Sequence, residues 1–301
     1  MRGRFTGCRT VLTTLLLGFT ILLGACGQAP EENLAPPAPA LWEIRSPEGE
    51  VQGWLFGTIH ALPDGVNWKT GLLDKTLARS EMLMVEIADL QDRANIARTF
   101  YQMGLTPDQP ALPLKVPPEH RKKLAQLLDK ANMKASDFSS TETWAAALTL
   151  AQASAGPGAG KNGVDVELID NYTHAPVIEL EGVKAQFSVF DSLPEKEQRD
   201  LLDLVVVDAE ETAQDRQKMA IAWRNGDMDA IALEEQDGLL ADPELRQVLL
   251  VERNTDWTGK ISAALNAGKR PFVAVGGAHM AGPDGLPALL TRLGYNVQRI
   301  Q

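Results

Sequence analysis

The sequence predicts an α/β fold, a central mixed sheet with helices packed around it and a helical middle region. Three observations carry that expectation. Short runs rich in β-branched and aromatic residues, such as Val51 to Phe56 and Phe272 to Val275, alternate with longer stretches of helical periodicity. The run Met82-Leu83-Met84-Val85-Glu86-Ile87 is apolar almost throughout, as a strand buried on both faces requires. Two apolar runs also end alike, in Gly57-Thr58-Ile59-His60 and in Gly276-Gly277-Ala278-His279, so two βα units each end a strand in Gly-x-x-His.

The chain opens with Arg2, Arg4 and Arg9, an apolar stretch from Val11 to Leu23, and Leu23-Gly24-Ala25-Cys26. A charged, then apolar, then small-residue succession is an export signal, and its last four residues have the form of a bacterial lipobox. Residues 1–25 are therefore expected to be a lipoprotein signal peptide, with Cys26 lipidated and anchoring the chain to a membrane. The apolar stretch is shorter than the ~20 residues a spanning helix needs. Residues 26–40 include Pro36-Pro37-Ala38-Pro39-Ala40 and read as an extended tether. The domain then occupies residues 41–301.

The only other cysteine, Cys8, falls in the signal, which excludes an intrachain disulfide, a cysteine nucleophile and a Cys-ligated zinc from the domain. A net charge of −11 argues against nucleic acid as a partner and against adhesion to anionic lipid through a basic face. Membrane attachment then rests on the lipid. Gly27 after Cys26, instead of Asp, points to the outer membrane and its periplasmic face.

Along the domain, Leu41 to Arg45 and Val51 to Phe56 flank the turn cluster Ser46-Pro47-Glu48-Gly49-Glu50, which predicts a β-hairpin. A helix is expected from Lys69 to Arg79 and a strand over Met82 to Ile87. Helices follow over Pro118 to Ala131 and Ser139 to Ala153, then one opening at Val164. Ala175 to Leu180 reads as a strand, and long helical stretches reach Leu240 and run from Leu245 to Ala267. The last unit is strand Phe272 to Val275, a loop to Gly285, helix Leu286 to Leu293 and strand Tyr295 to Ile300. The glycine-rich stretch from Gly156 to Gly163 is not a phosphate loop, because Ala155 and Asn162 stand where Gly and Ser or Thr belong and no strand precedes it.

A histidine leaving a strand through a glycine turn projects from the carboxyl edge of the sheet, where open α/β folds keep their crevices. Glu86 is a carboxylate in an otherwise apolar strand, and such a group needs a cation or hydrogen bonds. If its strand neighbours the one ending at His60, the two form a His/Glu constellation of the kind that binds divalent metal; otherwise Glu86 pairs with an Arg or Lys. Glu181 likewise follows a strand. His120 and His174 read as surface residues, Trp42, Trp54, Trp144, Trp223 and Trp257 as core, and Trp68 as lining the crevice mouth.

Leu55-Phe56-Gly57-Thr58-Ile59-His60, Val85-Glu86, Gly163-Val164-Asp165, Leu180-Glu181, Trp223 with Gly226-Asp227, Glu252-Arg253-Asn254 and Val275-Gly276-Gly277-Ala278-His279 follow one another in an order and spacing that resembles the TraB/PrgY/GumN proteins of the TIKI superfamily. That superfamily is similar in fold to the erythromycin-esterase and ChaN-like proteins, and the resemblance spans Leu41 to Gln301. It implies that His60, Glu86 and His279 form a catalytic core, since animal TIKI members are metal-dependent proteases and PrgY and TraB relatives reduce peptide pheromone activity.

The resulting expectation is a lipid-anchored, metal-dependent hydrolase of a peptide or related amide, with His60, Glu86 and His279 on Mn, Co or Zn. Glu181 or Asp165 would be the general base or a further ligand, and Arg253 would stabilise an oxyanion. One alternative is metal-free chemistry, with a histidine base oriented by Glu86. Another is a non-catalytic envelope protein binding a peptide or haem in the same crevice. A serine hydrolase is excluded, because no Gly-x-Ser-x-Gly elbow occurs.

Overall fold

Aromatic and β-branched residues at alternate positions make Leu41–Arg45 (β1) and Val51–Thr58 (β2) antiparallel strands, paired from Leu41 opposite Phe56 to Ile44 opposite Gly53, with an irregularity before Arg45. The turn between them closes through Ser46 N–H to Glu50 O and Gly49 N–H to Ser46 O, so the hairpin is as expected. The computed structural model describes residues 35–63, 65–155, 163–209, 213–237 and 239–301. The expected signal peptide, Cys26, most of the tether and the stretch from Gly156 to Asn162 lie outside the described residues.

Helix Gly71–Arg79 (α1) starts at Thr70, whose hydroxyl accepts from Leu73 N–H at 3.1 Å, with Asp74 in the first turn and Arg79 in the last to complement the helix dipole. The chain then runs through Met82–Val85 (β3), Arg93–Gly104 (α2), Arg121–Lys130 (α3), Thr143–Ala155 (α4), Val164–Asn171 (α5) and Val177–Glu179 (β4). Next come Gly182–Asp191 (α6), Glu195–Asp208 (α7), Ala213–Arg224 (α8), Met228–Asp237 (α9) and Pro243–Arg246 (α10), the last continuing through a π-turn at Gln247–Val251 into Glu252–Asn266 (α11). Pro271–Gly276 (β5), Leu286–Arg292 (α12) and Asn296–Arg299 (β6) end the chain.

The six strands form one sheet in the order β4-β3-β5-β2-β1-β6. Strands β4, β3, β5 and β2 run parallel and β1 runs antiparallel to both its neighbours, so the sheet is mixed. β5 lies at its centre and is buried along its whole length. Its pleat divides the core. Phe272 and Ala274 face Trp54, Phe56 and Val85 under α5 and α8, while Val273 and Val275 face Leu55 and Met84 under α11 and α12. Each large apolar side chain so buried contributes about 1.5–3 kcal/mol. A separate core joins α3, α4 and α7 through Leu124, Trp144 and Leu202.

Several boundaries differ from expectation. β3 stops at Val85, leaving Glu86 just past the strand, and β4 spans only Val177–Glu179. Pro118 opens a separate 3₁₀ turn, Pro118–His120, before α3. His120 is not a free surface residue, since its Nδ1 lies 2.7 Å from Asp203 Oδ1 and ties that turn to α7. Trp68, expected at a crevice mouth, is 4% exposed and packs against Phe56 and Trp223, while still lining a cavity beside α5. The five tryptophans read as core are all buried. Among the described residues no helix is long and apolar enough to cross a membrane.

Candidate functional site

The carboxyl ends of β3, β5 and β2 share one edge of the sheet. Thr58 at the end of β2 is level with Gly276 at the end of β5, and Val85 is level with Ala274. The sequence left open whether β3 adjoins β2. It does not, because β5 intervenes, yet Glu86 and His60 still meet, because both reach over the end of β5. Glu86 Oε1 accepts the backbone N–H of Gly276 at 2.8 Å. A β-carbon built on Gly276 would lie 3.4 Å from Glu86 Oε1, 3.5 Å from His60 Nε2 and 3.7 Å from His279 Cδ2. The three residues thus surround one point, and the missing side chain of a glycine forms its floor.

Both imidazoles are held by their Nδ1 atoms. Backbone N–H of Val164 donates to Ile59 O at 3.0 Å, which draws the start of α5 to the end of β2 and sets Asp165 beside His60. Asp165 Oδ2 is 2.9 Å from His60 Nδ1, and its Oδ1 accepts from the Thr58 hydroxyl at 2.6 Å. On the other side Asn254, fully buried on α11, gives its Nδ2 to Asp284 O at 2.8 Å. Its Oδ1 is thereby turned to accept from His279 Nδ1 at 2.6 Å. His279 therefore carries its proton on Nδ1 and presents a lone pair at Nε2, and Trp257 packs against the ring with centroids 4.4 Å apart.

Arg253 spans the remaining groups. Its Nη2 donates to Glu86 Oε2 at 2.8 Å, and its Nε and Nη2 form a two-point contact with Glu181. Nη1 lies 3.3 Å from His279 Nε2, and the guanidinium stacks over Trp257. Asp165 and Glu181, expected as bases or further ligands, each have both oxygens engaged, by Thr58 and His60 and by Arg253 respectively.

Burial opposes ionisation of Glu86, but the charges of His279, His60 and Arg253 and the Gly276 N–H outweigh it and hold the carboxyl down at about 2. Burial pushes His279 down to about 3 despite Glu86, so its ring is neutral at pH 7 and Arg253 and His60 are the cations acting on Glu86 there. For His60 burial is overcome by Asp165 and Glu86, which raise it to about 9. Its side chain is 69% exposed, so water weakens this shift while leaving its direction. Burial also raises Glu181 against the pull of Arg253.

Two imidazole Nε2 atoms and one carboxylate make a nitrogen and oxygen donor set that suits Mn, Co or Zn, and the anchored Nδ1 atoms are the outer support such ligands require. As the side chains stand, Arg253 meets His279 Nε2 and Glu86 Oε2, and among the described residues no three His, Cys, Asp or Glu side chains are spaced to hold an ion. An ion held by all three donors would have to displace the Arg253 contact to His279. Asn254 and Trp257 were not among the expected site residues. The pairing of Asn254 with Arg253 in Glu252-Arg253-Asn254 was the available signal for the first, whereas Trp257 gave none beyond its bulk.

The chain is 29% identical over 251 residues to the Uncharacterized protein YbaP of Shigella flexneri, covering 80% of this chain and 89% of that protein. It is 29% identical over 245 residues to the protein of the same name from Escherichia coli strain K12, covering 78% and 86%. No solved structure matches. The model of the TraB/PrgY/gumN family matches residues 40–299, a span that takes in every strand and every residue of the site, and the chain belongs to that family.

Proposed function

We propose that this chain is a lipid-anchored hydrolase of the cell envelope that uses a divalent metal to cleave a peptide or related amide. One observation carries the reading. His60 and His279 each commit Nδ1 to a fixed oxygen and present Nε2 on the side of Glu86, around a point floored by Gly276. Two rings so anchored beside a carboxylate serve ligation better than packing, His279 with a lone pair on its Nε2 and His60 giving up its Nε2 proton when an ion binds.

His60, Glu86 and His279 would hold the ion, which when bound lowers the pKa of water and polarises a carbonyl. Glu86 is kept ionised by Arg253 and by the Gly276 N–H. Arg253, once released from His279, offers its Nη1 to negative charge developing on the carbonyl oxygen. Glu181, whose two oxygens both accept from Arg253, would act as base only on releasing that contact, and as it stands it holds the guanidinium in place. Asp165 orients His60.

A second reading, a crevice that binds peptide or haem without reaction, is favoured by Arg253 already satisfying Glu86 and His279. Elemental analysis of protein purified without chelator decides between them. About one Mn, Co or Zn per chain, lost in His60→Ala/His279→Ala, together with peptide cleavage that follows metal content, is the expected result. No ion after reconstitution, with a Soret band on haem titration, overturns the hydrolase in favour of the binding protein.

A further inference from the structure

A cavity of ≈430 Å³ lies along α5, between that helix and the loop joining β2 to α1, with Leu62, Val66 and Trp68 on one wall and Val166, Glu167 and Asp170 on the other. A second, of ≈240 Å³, shares Trp68, Glu167 and Asn171 with the first and continues to Tyr172 and His174. The lining positions 163, 166, 167, 170 and 171 recur every three or four residues, so they form one face of α5. Asp165 lies off this face, against His60, while Leu168 borders the second cavity. A helix of this length is ~12 Å long at ~1.5 Å per residue. The two cavities adjoin at Trp68, Glu167 and Asn171 and together make one trough along the helix.

Its origin and its charge define what fits. The trough starts at Leu62 and Gly163, two residues from His60 and Asp165, where Val164 N–H is bonded to Ile59 O. Glu167 and Asp170 line the first part and Asp74 the second, while Lys69 is the single lysine or arginine among the described lining residues. Lys69 Nζ sits 2.6 Å from Glu167 Oε1, with the two side chains 47% and 42% exposed. An ion pair so open to water is weak and exchangeable. Among the described residues Asp170 accepts from the exposed amide of Gln91, at 3.2 and 3.3 Å.

We infer that this trough binds an extended segment bearing a cationic side chain, whose ammonium or guanidinium replaces Lys69 on Glu167 and Asp170 while an apolar neighbour lies on Leu62, Val66 and Trp68. The segment reaches His60 from the α5 side. That it belongs to the substrate rests on the hydrolase reading; the binding does not.

Fluorescence anisotropy with a fluorescein-labelled, end-blocked Ala-Leu-Lys-Ala-Lys-Ala peptide and its counterpart with glutamate for lysine tests this on the whole protein. The lysine peptide binds at least tenfold more tightly, a preference that Glu167→Lys/Asp170→Lys abolishes or reverses and that Glu167→Gln/Asp170→Asn weakens. A protein that binds the lysine peptide without cleaving it defeats the hydrolase alone. Equal binding of both peptides, no binding of either, or a preference that survives both trough variants overturns the trough.

Discussion

Asn254 decides what His279 can do. With its amide nitrogen committed to Asp284 O, only its oxygen is left for His279 Nδ1, and the imidazole lone pair can point nowhere but inward. Asn254→Ala should cost about 1–3 kcal/mol in urea unfolding, as an unsatisfied buried group does, and lower metal affinity or turnover about 10–100-fold. An unchanged metal affinity in a folded variant would show that His279 does not depend on Asn254. Gly276→Ala separates fold from site more sharply. Gly276 sits at φ −46°, where any residue is comfortable, and the new methyl would meet its neighbours at 3.4 to 3.7 Å, ordinary contact distances. It should leave the melting temperature within about 2–4 °C and remove metal binding, because the methyl stands at the centre of the donors; metal content equal to wild type would place the ion elsewhere. His60, Glu86 and His279 were legible in the sequence because a repeated Gly-x-x-His and a carboxylate at the end of an apolar run are unusual in themselves. Asn254 and Trp257 were not, because a neutral amide and an aromatic on a helix acquire meaning only once that helix is docked.

At the scale of the element, the strands and the hairpin could be read from alternation and turn residues, and the helices with an apolar stripe could be read from their period. α2 and α6 escaped, and their burial explains why. Each has a glycine as its only fully buried residue, and the apolar side chains it packs on the helical core, Phe100 and Met103 in one and Phe187 and Phe190 in the other, are only half-buried, so the stripe is shallow. Sheet order was equally hidden, because pairing between distant strands leaves no local pattern. The insertion of β5 between β2 and β3 predicts intolerance at Gly53, whose added β-carbon would lie 2.8 Å from the backbone oxygen of Pro271. Gly53→Ala should cost about 1–3 kcal/mol in urea unfolding. A neutral effect would mean that β2 and β5 separate there without penalty.

Over the whole molecule, the charges of the site set a pH window for stability. His60 is raised from 6.5 to about 9, so its contribution is whole below pH 6.5 and fades as pH rises toward 9, an arm made shallow by its exposure. His279 is lowered from 6.5 to about 3, so the unfolded chain takes a proton that the folded chain refuses and stability falls below pH 6.5. Glu86, lowered from 4.5 to about 2, adds to that loss in acid. Chelator-treated protein should therefore be most stable near pH 6.5, as read from urea midpoints between pH 4 and 9; a flat profile would mean the three groups are unperturbed. The proposed attachment to a membrane has its own check, since labelled palmitate should enter the chain and fail to enter Cys26→Ala.

The central place of β5 has a temporal consequence. His60 and Glu86 leave the ribosome within the first third of the chain, but the strand that belongs between theirs is made almost last. Until it threads into that gap, β2 and β3 have no neighbour to join them, His279 does not exist, and no backbone N–H meets Glu86. A polypeptide still being synthesised, or interrupted anywhere before residue 271, carries His60 and Glu86 without the strand and the histidine that complete their site. The site is assembled in one step, at the end of translation and folding.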